Sequence, residues 1–208
     1  MESNHIIINV GRQVCAGGLE IGRLLAEEFH AKYYDRELLN LAARESGFSE
    51  ELFKSSDERK GFLRSFFHLS RAASMGSDNF YQNNFSQEGL FKFQSDAIIK
   101  AAQESSCVFV GRCADYVLRD FPRVANIFIT APINARASLF MKEKGVSFED
   151  AVKRIEHIES RRASYYNYYT GKKWGNAASY DLCVDSSLLG TDETARLIAE
   201  FIHKRFDI

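Results

Sequence analysis

Hydrophobic residues along the chain alternate between short apolar runs and longer segments with an apolar residue every three or four positions. The short runs predict buried strands, and the longer segments predict amphipathic helices. The predicted strands cover residues 5–10, 32–34, 107–110, 124–130 and 180–184. Because strands that alternate with helices form βαβ units, the pattern predicts an α/β fold with a parallel sheet.

The predicted helices differ in how clearly the sequence marks their ends. Segments 19–30, 87–104 and 191–206 have helical periodicity, and Asp35 is expected to cap a helix that follows it. Ser147 to Asp150 has the form of a capping box that opens another long helix. The aromatic-rich stretch 61–93 predicts helices broken by a loop at about 76–84.

Composition limits the classes of protein that the chain can represent. A length of 208 residues, with 45% hydrophobic and 13% aromatic residues, suits one domain with a sizeable core and argues against global disorder. The 27 basic and 28 acidic residues give a net charge of −1. No overall attraction to nucleic acid or to an anionic membrane follows, so an anion site must be built locally.

Four widely spaced cysteines, Cys15, Cys107, Cys113 and Cys183, form no C-x-x-C pair. This favours free thiols in a reducing cytosol over a disulfide scaffold or a zinc site. The apolar run at the N-terminus is too short for a signal peptide, and no segment approaches the ~20 apolar residues that span a bilayer. The sequence therefore predicts a soluble, cytoplasmic protein with no membrane partner and no dedicated metal site.

The strongest chemical signal is a glycine-containing loop between the first strand and the first helix, residues 11–22. A helix N-terminus offers unpaired N–H groups, and glycines allow a phosphate to approach the backbone closely. The strict P-loop pattern is not present, since Gly18 takes the lysine position and Leu19 or Glu20 the hydroxyl position. A tight turn without a ligand is compatible with this segment alone.

Four segments in the expected order resemble the cytidylate-kinase-like family, a branch of the P-loop nucleoside monophosphate kinases. The first comprises Gly11–Gln13, Ala16–Gly18 and Glu20–Gly22. The others are Tyr33–Leu38, Val110–Tyr116, and Arg162–Gly175 with Tyr180–Leu182. The resemblance implies a three-layer P-loop kinase-like fold, a five-stranded parallel sheet with helices on both faces and a helical lid. It implies one domain over residues 1–208, with a helical acceptor-binding insertion at about 36–100 and the lid at about 147–178.

The resemblance also implies site residues. The phosphate- and nucleotide-binding set is Gly11, Arg12, Cys15, Ala16, Gly17, Gly18, Leu19, Glu20 and Lys172. The catalytic set is Arg112, Arg161 and Arg162, and the acceptor-binding set is Asp35, Arg112 and Asp115. Alternatives stay open for several of them: a solvated face for Arg161 and Arg162, an Arg112–Asp115 ion pair, and a plain helix cap for Asp35.

The chain departs from the family pattern in two places. Where the family loop has Gly-Ser-Gly-Gly-Arg, this chain has Cys15 to Leu19, and the family pattern also has no lysine after these glycines. Related cytidylate kinases carry an aspartate where Val110 stands. Each charged hydrogen bond to phosphate is worth about 1.5–3 kcal/mol, so such losses weaken catalysis more than fold.

The implied function is ATP-dependent phosphoryl transfer to a nucleoside monophosphate such as CMP or dCMP, with Mg²⁺ brought by ATP. Nucleotides are the expected partners, nucleic acid is not, and a homodimer is compatible with the sequence. Two alternatives remain: a nucleotide- or anion-binding module with a degenerate P-loop and impaired catalysis, and a structural α/β interaction domain.

Overall fold

The computed structural model of the protein describes residues 5–36 and 80–208, with side chains described for 5–36 and 88–208. Its strands are β1 (Ile7–Arg12), β2 (Lys32–Tyr34), β3 (Cys107–Val110), β4 (Val124–Thr130) and β5 (Leu182–Asp185). Its helices are α1 (Gly18–Glu28), α2 (Phe80–Glu104), α3 (Ala114–Val117), α4 (Ile133–Lys144), α5 (Phe148–Thr170) and α6 (Gly190–Phe206), with a 3₁₀ turn at Ala177–Ser179.

The five strands form one parallel sheet in the order β2-β3-β1-β4-β5. The central strand β1 pairs with β3 and β4, so that Ile8 lies opposite Val108 on one side and Ala125 on the other. The predicted α/β class and five-stranded parallel sheet are confirmed. The continuous apolar runs explain the central position of β1 and β3, because a strand covered on both faces carries few polar residues.

Two apolar clusters hold the helices near the sheet. The larger one joins β1, β3 and β4 to α1 and α6, and includes Ile8, Ile21 and Ile198, none of which is exposed. The second one joins α4 and α5 to the loop after β1 and includes Val14 and Ile155. Both clusters therefore fix elements next to the same loop, between β1 and α1.

The predicted element boundaries differ from the structure in a few places. The loop predicted at about 76–84 is wrong for residues 80–84, which belong to α2, and residues 76–79 lie outside the described part. Segment 80–104 contains no proline, and the cost of a glycine or asparagine in a helix is at most about 1 kcal/mol. The predicted last strand begins two residues later, at Leu182.

The capping box predicted at the start of α5 is confirmed, because Ser147 Oγ accepts a hydrogen bond of 3.2 Å from the Asp150 amide. The helix expected after Asp35 has one described residue, Arg36, and its remainder lies outside the described part.

None of the helices within 5–36 and 80–208 combines the length and the apolar sequence needed to cross a bilayer. The chain divides into two compact units, 1–38 with 98–208 and 39–97. The candidate site described next belongs to the first unit.

Candidate active site

The sheet has a topological switch point at the carboxyl ends of β1 and β3. The connection after β1 leads to β2 on one side of the sheet, whereas the connection after β3 leads to β4 on the other side. Adjacent strands whose connections diverge leave a crevice, and ligands of open α/β sheets bind there. Arg12 ends β1, and Gly111 follows β3, so both residues lie at this crevice.

The loop between β1 and α1 is held by hydrogen bonds from three elements. Gln13 Oε1 accepts one hydrogen bond from the hydroxyl of Thr130, the last residue of β4, and another from the amide of Ala131, which follows it. The Val14 amide donates to Glu159 Oε1 of α5 at 2.9 Å. Ser186, after β5, donates its hydroxyl to the Ala16 carbonyl oxygen at 2.8 Å. Hydrogen bonds within the protein therefore define the shape of the loop.

Two glycines form the turn into α1. Gly17 caps the helix with φ +73°, and a Cβ there would lie 2.7 Å from Thr191 Cγ2. A Cβ on Gly18 would lie 2.5 Å from Arg12 Cβ. Within the described residues, no side chain caps the start of α1. Its first-turn amides and the positive end of the helix dipole therefore remain available to an anion.

The Arg12 side chain runs from β1, past Gly18, to the strand-end glycine of β3. A Cβ on Gly111 would collide with Arg12 Nη1. Arg12 Nε is buried and has no hydrogen-bond partner among the described residues. Burial, with the nearby charges of Arg162 and Arg112, lowers the pKa of Arg12 to about 9, although Tyr33 and Asp35 act in the opposite direction. At neutral pH the guanidinium is still charged and lacks full compensation.

Two further arginines approach Arg12. Arg162 of α5 donates a hydrogen bond from Nη1 to the Arg12 carbonyl oxygen at 3.1 Å, and burial lowers the pKa of Arg162. The guanidinium of Arg112 lies over the Tyr165 ring, 5.2 Å from its centroid. We call Arg12, Arg112 and Arg162 the arginine cluster. Like charges gathered beside a helix N-terminus repel one another, and an anion bound beside them would reduce that repulsion.

The segment that carries Arg112 has an unusual backbone. Gly111, Arg112 and Cys113 all have positive φ, at +82°, +60° and +56°. Residues other than glycine adopt this region at a cost of about 1–2 kcal/mol each, and such strain concentrates at functional sites. The strained turn directs Arg112 toward α5, where Tyr165 lies.

Asp115, one turn after Arg112, has a different partner from the ion pair that the sequence allowed. Its side chain is buried, and the Tyr166 hydroxyl of α5 donates to Asp115 Oδ2 at 2.6 Å. Burial raises the pKa of Asp115, whereas the Tyr166 hydrogen bond and the charge of Lys172 oppose that rise. Asp115 therefore joins α3 to the predicted lid helix.

The remaining predicted residues take varied positions. Gly11 packs against Phe128 so closely that a Cβ would lie 2.8 Å from Phe128 Cδ2. Cys15 is partly buried, and burial raises the pKa of its thiol. Leu19 is 46% exposed, and Glu20 forms an exposed 3.8 Å ion pair with Arg23. Ala16 is buried, whereas Arg161 and Lys172 are exposed. Asp35 follows β2, near enough to raise the pKa of Arg12.

Some residues at the site were missed in the sequence analysis. Arg36 lies close enough for its charge to lower the pKa of Arg162, and its position in Tyr33–Leu38, a segment that resembles the family, was an available signal. Glu159 and Gln13 shape the loop, and Tyr166 binds Asp115. Their roles depend on contacts between distant parts of the chain, for which the sequence carries no local signal.

Replacing Gly111 with alanine is expected to weaken any binding of a phosphate-bearing ligand at this candidate site about 10- to 100-fold, because the new Cβ would displace the Arg12 guanidinium. Gly145→Ala is the matched control, since Gly145 has φ +64° and nothing within 4 Å of its Cβ position. Both variants should lose about 1–2 kcal/mol of unfolding free energy through backbone strain. Calorimetric titration with ATP and urea denaturation separate the two effects, and equal ATP affinities for the two variants would contradict the expectation.

Several curated proteins resemble the chain. It is 23% identical to the cytidylate kinase of Methanopyrus kandleri over 206 residues, covering 95% of this chain and 93% of that protein. It is 25% identical to the cytidylate kinase of Methanosarcina acetivorans over 173 residues, covering 82% of each chain. The cytidylate kinase of Pyrococcus abyssi is 33% identical over 90 residues, which span 43% of this chain and 48% of that protein.

Solved structures share the fold. An uncharacterized protein from Eubacterium ventriosum superposes with a TM-score of 0.71 at 24% identity, covering 95% of this chain and 98% of that protein. Shikimate kinase from Bacteroides thetaiotaomicron superposes with a TM-score of 0.53 at 10% identity, covering 98% and 99% of the two chains. At these identities the likeness is one of architecture, and it supports a P-loop kinase fold.

The family comparison extends over most of the sequence. The model of the cytidylate kinase-like family matches residues 7–188, from the start of β1 to just beyond β5. That range includes the loop, the arginine cluster and α5. The chain belongs to the cytidylate kinase-like family.

Proposed function

We propose that the protein is a nucleotide kinase that transfers the γ-phosphoryl group of ATP to a nucleoside monophosphate, with CMP or dCMP as the acceptor. The observation that carries this proposal is the convergence of Arg12, Arg112 and Arg162 on a glycine turn at the switch point of the sheet. Family membership and the cytidylate kinases among the relatives support the choice of acceptor.

Phosphoryl transfer requires little covalent chemistry from the protein itself. A phosphate oxygen of the acceptor forms a bond to the γ-phosphorus, and the bond from that phosphorus to the β,γ-bridging oxygen breaks, leaving ADP and a nucleoside diphosphate. Positioning and neutralisation of charge on the transferred group account for most of the catalysis. Guanidinium groups suit this task because their planar fork binds two phosphate oxygens at once.

In this proposal Arg12 supplies the cation that the loop lacks. Gly18 stands where a P-loop has its lysine, but the Arg12 side chain passes directly beneath that glycine. The cation would thus come from the strand before the loop instead of the helix after it. The amides of the Gly17–Gly18 turn would bind the donor phosphates, and Arg162 and Arg112 would contact the transferred group from the other side.

The remaining predicted residues keep the roles that the family resemblance implies. Asp35 and Arg112 would hold the acceptor. Arg161 and Lys172, both exposed on and after α5, would approach the phosphates as a lid closes. These roles concern a substrate-bound state.

Magnesium would enter with ATP as part of the substrate. The loop residues do not fit a dedicated Mg²⁺ site, because Leu19 and Glu20 stand at the hydroxyl position and Glu20 pairs with Arg23. Within residues 5–36 and 80–208, no three His, Cys, Asp or Glu side chains form a group that could hold a metal ion.

The direct test is ADP release from ATP and Mg²⁺ with a panel of nucleoside monophosphates. We expect CMP or dCMP to accelerate ADP release above the rate without an acceptor, and a ³¹P spectrum should show the matching diphosphate. Arg162→Ala should lower kcat/KM by about 10- to 100-fold, whereas Arg196→Ala, an exposed arginine of α6, should leave it unchanged. ADP release that no acceptor stimulates would contradict the kinase proposal.

A second candidate function, an anion-binding module without kinase activity, is favoured by the residues that follow the glycines. Leu19 and Glu20 are exposed and offer the phosphates neither a lysine nor a hydroxyl group. This candidate predicts that ATP raises the melting temperature although no acceptor stimulates ADP release. A ligand at 100 times its Kd adds about 2.7 kcal/mol to the unfolding free energy, so the shift would be measurable.

A further inference from the structure

We propose that Tyr166 is a positioning residue whose hydrogen bond to Asp115 holds Arg162 and Arg112 at the separation that phosphate binding needs. The proposal rests on the proposed function, since it takes the arginine cluster as the phosphate site. It gives Asp115 an internal role in place of the acceptor contact expected from the sequence.

The spacing of the residues makes one hydrogen bond sufficient to align two elements. Arg162 and Tyr166 are four residues apart on α5 and so lie on the same helix face. Arg112 and Asp115 are three residues apart, on the strained turn and the first turn of α3. A 2.6 Å bond between Tyr166 and Asp115 therefore fixes the distance between the two arginine-bearing elements.

Two neighbouring contacts support the same alignment. The Tyr165 ring lies against the Arg112 guanidinium at 5.2 Å, next to the Tyr166 hydrogen bond. Arg162 reaches the Arg12 carbonyl oxygen at 3.1 Å from the same helix. Together the three contacts place α5 against the ends of β1 and β3. Of the three, only the contact of Tyr166 involves a buried carboxylate, that of Asp115.

The surroundings of Asp115 indicate that its carboxylate serves the protein itself. It is 8% exposed, and the Tyr166 hydroxyl and the backbone amides of Asp115 and Tyr116 stabilise its charge. Lys172, Tyr180 and Cys113 are the other titratable groups that face it. A carboxylate with this many internal partners has little capacity left for a base or a ribose.

Tyr180 extends the contact to the segment after α5. It interacts with Tyr166 through their hydroxyl groups, and the Gly175 amide lies 3.5 Å from its oxygen. Its ring packs on Phe128 of β4 with centroids 4.8 Å apart. The side-chain contacts from Asp115 through Tyr166 to Tyr180 thus connect the predicted lid to the sheet. Because Tyr166 lies in the middle of these contacts, it is only 6% exposed.

The test compares ATP affinity, measured by calorimetry without turnover, in four variants. Tyr166→Phe and Asp115→Leu should each weaken ATP binding about tenfold. Asp115→Asn should retain most of the affinity of the unmodified protein, because its amide oxygen still accepts the hydrogen bond. Tyr168→Phe, on the same helix and 67% exposed, is the control and should bind as the unmodified protein does.

A double-mutant cycle decides whether Tyr166 acts through Arg162. In an Arg162→Ala background, Tyr166→Phe should cause less than a twofold further loss of ATP affinity, because the residue that it positions is gone. Independent losses that add in the double variant would overturn the proposal. Asp115→Asn that binds ATP normally but changes the acceptor KM would likewise overturn it in favour of direct acceptor contact.

An NMR titration keeps this proposal separate from the kinase proposal. The Tyr166 hydrogen bond lowers the pKa of Asp115, so the ¹³C-carboxyl titration of Asp115 should move to higher pH in Tyr166→Phe. The resonances of the Arg112 and Arg162 guanidinium groups should shift in the same variant. An unchanged titration would overturn the positioning role even if the protein proves to be a kinase. A shifted titration without any kinase activity would leave the positioning role intact.

Discussion

Replacing Arg12 with methionine is expected to lower kcat/KM of the proposed kinase reaction by about 10³ while it stabilises the ligand-free protein. The activity loss follows from removing two charged hydrogen bonds to phosphate, each worth about 1.5–3 kcal/mol. The stability gain follows because a partly buried cation beside Arg162 and Arg112 is replaced by an apolar side chain of similar length. Replacing buried ion pairs with apolar residues is often neutral or stabilising, and the loss of an incompletely compensated cation should act in the same direction.

The pH dependence of stability gives this prediction a second measurable sign. The pKa of Arg12 is about 9 in the folded protein, well below that of an unperturbed guanidinium. Between these values the unfolded chain binds more protons, so the unfolding free energy should rise with pH above about 9. Below about 9 the destabilisation by the buried charge is fully present. Arg12→Met should lack the rise, which urea denaturation between pH 8 and pH 10.5 can detect.

Anion binding should show the opposite trend to stability. A bound phosphate favours the charged guanidinium, so ATP affinity should fall as the pH rises through the pKa of Arg12. Arg196→Met is the control, because Arg196 is exposed and paired with Glu193 on α6. If Arg12→Met were less stable than the unmodified protein, or bound ATP equally well, Arg12 would not be an uncompensated cation at a phosphate site.

The location of the site could be predicted from the sequence, whereas its composition could be predicted only in part. The apolar run before Gly11 and the glycines at 17 and 18 identified a strand, a turn and a helix N-terminus. That Arg12 meets Gly111 depends on β1 and β3 being neighbours, which the strand order determines. No local pattern within either segment encodes that pairing.

Helix phase and strand order explain the other differences between the predicted and the observed positions of the candidate site residues. Arg161 and Arg162 are adjacent arginines, and the sequence does not show which of them faces the site. In the structure, α5 directs Arg162 to the loop after β1 and leaves Arg161 exposed. Asp115 and Arg112 have the spacing of a helical ion pair, yet Tyr166 takes the carboxylate because α5 packs beside it. Each outcome depends on tertiary packing, which composition and periodicity do not reveal.

The loop also depends on a buried ion pair that the sequence did not predict. Arg136 Nη1 of α4 lies 2.7 Å from Glu159 Oε1 of α5, with side chains 5% and 15% exposed. Arg136 Nε donates to the Ala131 carbonyl oxygen at 2.7 Å, and Glu159 also accepts from the Val14 amide. This pair therefore joins β4, α4, α5 and the loop after β1.

Glu159→Gln is expected to lower the unfolding free energy by about 3–5 kcal/mol, because it leaves the buried Arg136 charge without its counterion. Glu193→Gln is the matched control: its pair with Arg196 is 2.6 Å long, but the side chains are 73% and 55% exposed for Arg196 and Glu193. Exposed pairs contribute about 0–1 kcal/mol, so the control should lose no more than that in urea denaturation.

Replacing both members of the buried pair distinguishes the pair's own contribution from the cost of an orphaned charge. Arg136→Met combined with Glu159→Gln should recover most of the stability that Glu159→Gln loses, since no buried charge remains unpaired. The glutamine still offers an oxygen to the Val14 amide, so the loop keeps one of its anchors. A double variant as unstable as Glu159→Gln alone would mean that the loss comes from loop geometry and not from the buried charge of Arg136.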